Sequence, residues 1–337
     1  MPSIQALTLA LALGAGALPA VAGAQTFETL GTRASGMGGA FVAVADDASA
    51  VYWNPAGLAT SGRLFTINLD FNQGHAEPAT SPASRTEGDR TGSLIAIGTP
   101  PLGLSYYRLT ATRLTPAGAN GLYSTHLQNL VTHNAGISLV QSVVGRVAVG
   151  TTLRFVHAET ASGLSNVDTE DMLGKARDLP STGKNTVDAD VGVMAMLGQF
   201  RAGVTVRNLK QPTFTTSGNE TVQLKRQSRA GIAYVGLQGL IASADFDLEP
   251  TDGSIGEERN IAAGAEAQLW PRVFLRGGFR VNTREPLIAG PMGAEHAKVY
   301  TLGGSALTIR SLIIDAQVTL GSKAGDRGWG IAGRMVY

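Results

Sequence analysis

Phe200-Arg201-Ala202-Gly203-Val204-Thr205-Val206-Arg207 puts an apolar residue at every even position and Arg, Gly, Thr and Arg at the odd ones. A period of two belongs to an extended strand with one apolar face and one polar or small face. The pattern recurs along the chain. Phe65, Ile67, Leu69 and Phe71 alternate with Thr66, Asn68 and Asp70, and Val147, Val149, Leu153 and Phe155 with Ala148, Gly150, Thr152 and Arg154. Further on, Val273, Leu275, Phe279 and Val281 face away from Arg276 and Arg280, and Leu312, Ile314, Ala316, Val318 and Leu320 from Asp315, Gln317 and Thr319.

The alternation predicts fourteen strands, over 63–72, 90–99, 102–110, 129–143, 146–157, 186–197, 199–208, 222–235, 239–248, 259–270, 272–282, 298–308, 310–320 and 328–337. Tight connections at Pro100-Pro101, Val144-Gly145, Gly198, Gly236-Leu237-Gln238, Pro271 and Ile309 alternate with long polar ones over 73–89, 111–128, 158–185, 209–221, 249–258, 283–297 and 321–327. An even strand count with short turns at one end and long loops at the other is the pattern of a bacterial outer-membrane β-barrel. A soluble β-sandwich has no reason to shorten every second connection, and its outward face would be charged. Here Arg201, Arg207, Arg229, Asp245, Asp247, Glu266, Arg276, Arg280 and Arg334 are read as a luminal charge lining, with the apolar faces towards lipid. An Arg turned to lipid at mid-membrane would cost about 2–4 kcal/mol.

Composition agrees with a protein of two faces. Charged residues make up 16% of the chain, against about 25% in ordinary soluble domains. Its 43 glycines in 337 residues are nearly twice the usual share of about 7%. Lys and Arg (27) balance Asp and Glu (26), which argues against nucleic acid as the partner, since phosphate binding needs a basic face. The absence of cysteine excludes thiolate catalysis, disulfides and Cys-ligated zinc. Residues 1–24 carry no charged side chain and close on Ala22-Gly23-Ala24, an A-x-A site, so they read as a secretory signal peptide.

Residues 25–62 do not alternate. They contain Gly36-Met37-Gly38-Gly39-Ala40-Phe41, then Ala45-Asp46-Asp47-Ala48-Ser49-Ala50, then Tyr52-Trp53-Asn54-Pro55-Ala56-Gly57-Leu58. These three runs resemble the N-terminal signature of the FadL-type outer-membrane transport superfamily, which includes long-chain fatty acid and aromatic hydrocarbon channels and PorV-type proteins. The resemblance implies a fourteen-stranded barrel over 63–337 with residues 25–62 as a luminal plug or hatch. It implies transport of hydrophobic small molecules captured by outer loops and released sideways beside the hatch. A PorV-like binding or structural role in a secretion or surface assembly is the alternative. On this reading Gly36, Gly38, Gly39, Phe41, Asp46, Asp47, Asn54, Pro55 and Ala56 are hatch residues. Fourteen strands would leave a lumen that needs filling. Asp46 and Asp47 could begin a short helix or pair with luminal arginines, and Asn54-Pro55 favours a turn. The apolar residues Leu114, Leu122, Leu127 and Leu164 in the long loops are the candidate substrate contacts.

The last strand puts Trp329, Ile331, Met335 and the terminal Tyr337 on one face. This resembles the C-terminal assembly signal read by the barrel assembly machinery, with outer-membrane lipid as the surrounding partner. Catalytic patterns are missing. The glycines fail both the Walker and the dinucleotide spacing, no G-x-S-x-G occurs, and His75, His126, His133, His157 and His296 show no metal-ligand spacing. The D-x-D pairs Asp188/Asp190 and Asp245/Asp247 could hold a luminal cation, or pair with Arg201, Arg207, Arg229, Arg276 and Arg280; the lining is the preferred reading, with no metal. Neither a cofactor nor enzymatic activity is expected.

Overall fold

The computed structural model describes residues 26–77, 87–117, 124–166, 171–236, 239–253, 256–284, 298–309, 311–321 and 325–337. The expected signal peptide and Leu122 lie outside the described residues. In chain order the strands are β1 (Thr66–Glu77), β2 (Glu87–Thr99), β3 (Leu102–Ala117), β4 (Ser124–Val144), β5 (Val147–Ser165), β6 (Thr182–Leu197), β7 (Phe200–Arg207), β8 (Thr213–Thr215) and β9 (Thr221–Gln223). They continue with β10 (Gln227–Val235), β11 (Leu240–Asp247), β12 (Thr251–Asp252), β13 (Glu257–Glu258), β14 (Asn260–Trp270), β15 (Val273–Asn282), β16 (Lys298–Ile309), β17 (Leu312–Gly321) and β18 (Gly325–Val336). All but β8–β9 and β12–β13, which form two small hairpins, close into one antiparallel barrel of fourteen strands. Closure runs from Thr66 opposite Val336 to Glu77 opposite Gly325, so the ring has no open edge and its backbone groups are paired without water.

Parity along each strand sorts the side chains as the alternation predicts. Leu69, Phe71, Ile95, Leu104, Ile137, Leu153, Val204, Ile232, Leu275, Phe279, Leu302 and Val318 are exposed on the outer face. Arg207, Arg229, Asp245, Asp247, Glu266, Arg276, Arg280 and Arg334 are buried on the inner one, and Arg201 is half-buried beside them. Charge is thereby kept out of the apolar belt.

The strand ends differ from expectation on one side. β3, β4, β5 and β6 run 16, 21, 19 and 16 residues, whereas a membrane-crossing strand needs about 9–11. Much of the expected loops 111–128 and 158–185 is therefore strand standing above the belt. Its two faces are covered by protein: Leu130, Val156 and Ala158 on the inner face pack against Phe214 of β8, Val222 of β9 and Leu224. Leu114 and Leu127 on the outer face pack against Met172 and Ala176 of α3 (Met172–Arg177). These two leucines are thus wall residues under a helix rather than loop contacts for substrate, while Leu164 is exposed. The expected strand 222–235 is broken at 224–226, where β9 leaves the hairpin and β10 joins the wall.

Candidate functional site

Residues 26–60 form short pieces: a 3-10 turn (Phe27–Thr29), α1 (Thr32–Gly36), α2 (Ala50–Trp53) and a second 3-10 turn (Pro55–Thr60). None is long enough to be stable alone. Their order comes from Asn54, whose side chain accepts from the Ala56 N–H at 3.1 Å and donates to the carbonyls of Val42 (2.9 Å) and of Val193 on β6 (3.2 Å). Trp53, fully buried, packs with its ring centroid 5.7 Å from that of Phe27, tilted, and 5.8 Å from that of Phe41, edge-on. Contacts of the segment run to strands on all sides of the ring, so it lies in the barrel interior.

The wall makes room by omitting side chains. A Cβ at Gly264 of β14 would fall 2.2 Å from the Met37 carbonyl oxygen, and one at Gly278 of β15 would fall 2.3 Å from the Met37 carbonyl carbon. At Gly150 of β5 it would meet the Pro55-Ala56 peptide at 2.3 Å, at Gly192 of β6 the Asn54 Oδ1 at 2.0 Å, and at Gly92 of β2 the Thr29 oxygen at 2.3 Å. Gly36 rests on Gly303 of β16. Within the segment, Gly38 has φ +71° and lies over the Phe279 backbone, and Gly39 has φ +87° beside Glu28. The glycine surplus is largely this fit.

Ion pairs tie the segment to that wall. The Arg33 guanidinium of α1 donates to both oxygens of Glu266 at 2.9 Å and to Asp46 (2.5 Å) and Asp47 (3.1 Å). Glu266 also accepts from Arg276, which meets Asp315 at 2.8 Å; Asp315 is held by Arg334 at 2.6 Å, and Arg334 returns to Asp47 at 3.3 Å. Arg201 lies 3.7 Å from Asp46. In a second cluster Arg229 bridges Glu28 (2.8 Å) and Asp247 (2.6 Å). Backbone capture completes the set: Asp245 accepts the N–H groups of Phe41 and Val42, each at 2.8 Å, and Asp70 those of Gly31 (3.2 Å) and Thr32 (2.8 Å). Burial alone would raise the Asp47 carboxyl, but Arg334 and Arg33 hold it below the ordinary carboxylate range.

The residues expected at this site are therefore brought together, with one regrouping. Asp188 and Asp190 pair with Arg154 at 2.9 and 2.8 Å, an arginine not among their expected partners, and Asp190 reaches Arg207 only at 3.9 Å. Arg207 instead stacks on the Tyr52 ring at 3.7 Å. Among the described residues no group of His, Asp and Glu could hold a metal ion. Sequence reasoning missed Glu28, Arg33 and Asp70 as anchors; a lone arginine in the otherwise uncharged run 29–45 was the available signal for Arg33. Trp329 packs 5.5 Å from Phe71 across the closing pair, and the Tyr337 backbone pairs with Phe65.

An interior cavity beside Glu28, Arg90 and Arg280 is about 20 Å³, space for a single water. A larger hollow of about 370 Å³ opens on the outer face of the wall over β1, β2, β3, β17 and β18, lined by Leu69, Phe71, Ile95, Tyr106, Ile314 and Ile331. Gly333 supplies its floor, and Asp70, which holds the N-terminal segment, lies behind it.

No curated protein matches this chain. A family model described as "F plasmid transfer operon, TraF, protein" matches residues 122–247. Among solved structures, the CymD monoaromatic hydrocarbon channel is similar with a TM-score of 0.65 and 11% identity, over 93% of this chain and 99% of that one. The Pseudomonas putida toluene transporter TodX gives 0.61 and 10%, over 93% and 99%. A Pseudomonas aeruginosa FadL homologue gives 0.59 and 9%, over 91% and 98%. The chain thus has the fold of the FadL-type outer-membrane transporters.

Proposed function

We propose that this barrel carries hydrophobic small molecules, long-chain fatty acids or related hydrocarbons, across the bacterial outer membrane. The observation that carries the reading is the apolar hollow in the wall, backed directly by the N-terminal segment through Asp70. A ligand released there enters lipid without crossing water. Likeness of fold to hydrocarbon channels supports the same reading. Residues 25–62 act as the hatch, residues 1–24 as the export signal, and Trp329 with Tyr337 as the signal for the assembly machinery. Uptake of labelled fatty acid and of labelled alkane by strains with and without the gene tests the proposal; equal uptake sinks it.

A second reading, a PorV-like structural part of a secretion or surface assembly, is favoured by the density of ion pairs that seal the segment to the wall. The partial match to a plasmid-transfer family supports it too. Loss of an assembly phenotype with uptake unchanged would select it.

A further inference from the structure

Above the apolar belt, the first polar outward positions of four neighbouring strands fall in one row. Arg108 of β3 is opposite His133 of β4, His133 opposite His157 of β5, and His157 opposite Asn185 of β6. On the other side Arg108 faces Ser93 of β2. One step down each strand stand Tyr106, Ala135, Phe155 and Val187, all exposed on the same face. The row therefore sits where hydrocarbon gives way to headgroups, on the long-loop side of the barrel.

An exposed guanidinium at that depth needs anionic oxygens to replace its lost water. Its neighbours complete a donor set. The Tyr106 hydroxyl lies 2.8 Å from Nδ1 of His133; with the hydroxyl donating, the ring proton is on Nε2 and the neutral imidazole offers an N–H. The Ser93 hydroxyl adds a third donor. Glu159, 3.5 Å from Nε2 of His157 and opposite Val131, is the acidic neighbour of the row, on the β5 side away from Ser93 and Arg108. Next to Ser93 and Arg108 opens the 370 Å³ hollow, whose lining includes Ser93, Ile95 and Tyr106 and is mostly apolar, as an acyl chain requires.

We propose that Ser93, Arg108 and His133 dock the phosphate of a lipid in the adjoining leaflet, with one of its acyl chains in the hollow below. The inference rests on the outer-membrane reading above. A lipid is the occupant because its phosphate is held at this depth permanently, where a phosphate free in water is not. In the wall hollow it forms a removable seal over the lateral path.

Native mass spectrometry of the full chain in detergent micelles tests this, with phosphatidic acid, phosphatidylcholine of the same chains and palmitate as probes. Phosphatidic acid should be retained about fivefold over phosphatidylcholine for each cation engaged. Arg108→Gln combined with His133→Gln should bring it to the phosphatidylcholine level while heat-dependent gel mobility persists. Arg146→Gln, in the turn at the opposite end, should change nothing. Equal retention of the two phospholipids, or palmitate retained above phosphatidic acid, overturns the lipid site and leaves the barrel standing. Loss of heat-dependent mobility in the wild-type protein would overturn the membrane reading with it.

Discussion

Arg33 and Glu266, 233 positions apart in the chain, meet side-on through two hydrogen bonds of 2.9 Å, joining α1 to β14. Geometry of this kind is specific to arginine, because a lysine ammonium cannot fill both carboxylate oxygens at once. Arg33→Met should leave Asp46 and Glu266 short of a buried cation and lower stability by about 3–5 kcal/mol. Arg33→Lys should recover only part. The midpoint of the heat-induced gel shift measures both; a wild-type midpoint in Arg33→Met refutes the anchoring role.

The glycine fit predicts position-specific intolerance. Gly264→Val would drive a side chain into the Met37 carbonyl and should cost at least the 1–3 kcal/mol typical of overpacking. Gly277→Ala, one strand over and facing outward, meets nothing nearer than the Thr301 oxygen at 3.8 Å and should be neutral. Equal behaviour of the two variants in urea unfolding would contradict the account.

Acid should loosen the segment. Burial pushes the Asp47 carboxyl up, yet Arg334 and Arg33 bring it below its unfolded value, so its charged form stabilises the fold above the ordinary carboxylate pKa of about 4. That contribution is lost as pH falls through the lower folded value. The margin in heat-shift midpoint of the wild type over Asp47→Asn should be constant from neutral pH to about pH 5 and narrow below about pH 4. Asp47→Asn should start lower at neutral pH and fall less; parallel curves would count against Asp47.

Filling the wall hollow should block release. A Cβ at Gly333 finds only Ile314 Cδ1, at 4.0 Å, so Gly333→Phe can be seated without disturbing β18. Assembly should be normal and hydrocarbon uptake should fall towards that of a strain lacking the gene. Undiminished uptake in a normally assembled variant would exclude this path.

Strand count and facing were legible because a bilayer enforces an apolar residue at every second position, as at Leu69, Phe71, Val204 and Phe279. Beyond the bilayer that pressure ends. Thr110, Thr112 and Leu114 continue β3 with no alternation to announce it, because protein rather than lipid covers them. Short hairpins such as Thr213–Thr215 with Thr221–Gln223 are below the length at which a period shows. In the lumen, parity exposed which charges face inward but not their partners. Those depend on the stagger between strands, which sets Asp188 and Asp190 against Arg154. Arg33 and Glu28 had no parity at all, since the segment that carries them is neither strand nor long helix.

The inward glycines have one more consequence. A cylinder hollowed to the relief of its own leading segment is a mould, and Gly264, Gly278, Gly150 and Gly192 are the impressions left in it. Pulled free, the cast would leave a lumen lined by bare backbone at those positions, with Asp70 and Asp245 stripped of the N–H groups they hold and Glu266 left to Arg276 alone. Residues 26–62 also precede every strand, so they are at hand when β18 arrives to meet β1. Wall and leading segment are therefore shaped to each other, and neither keeps its surface without the other.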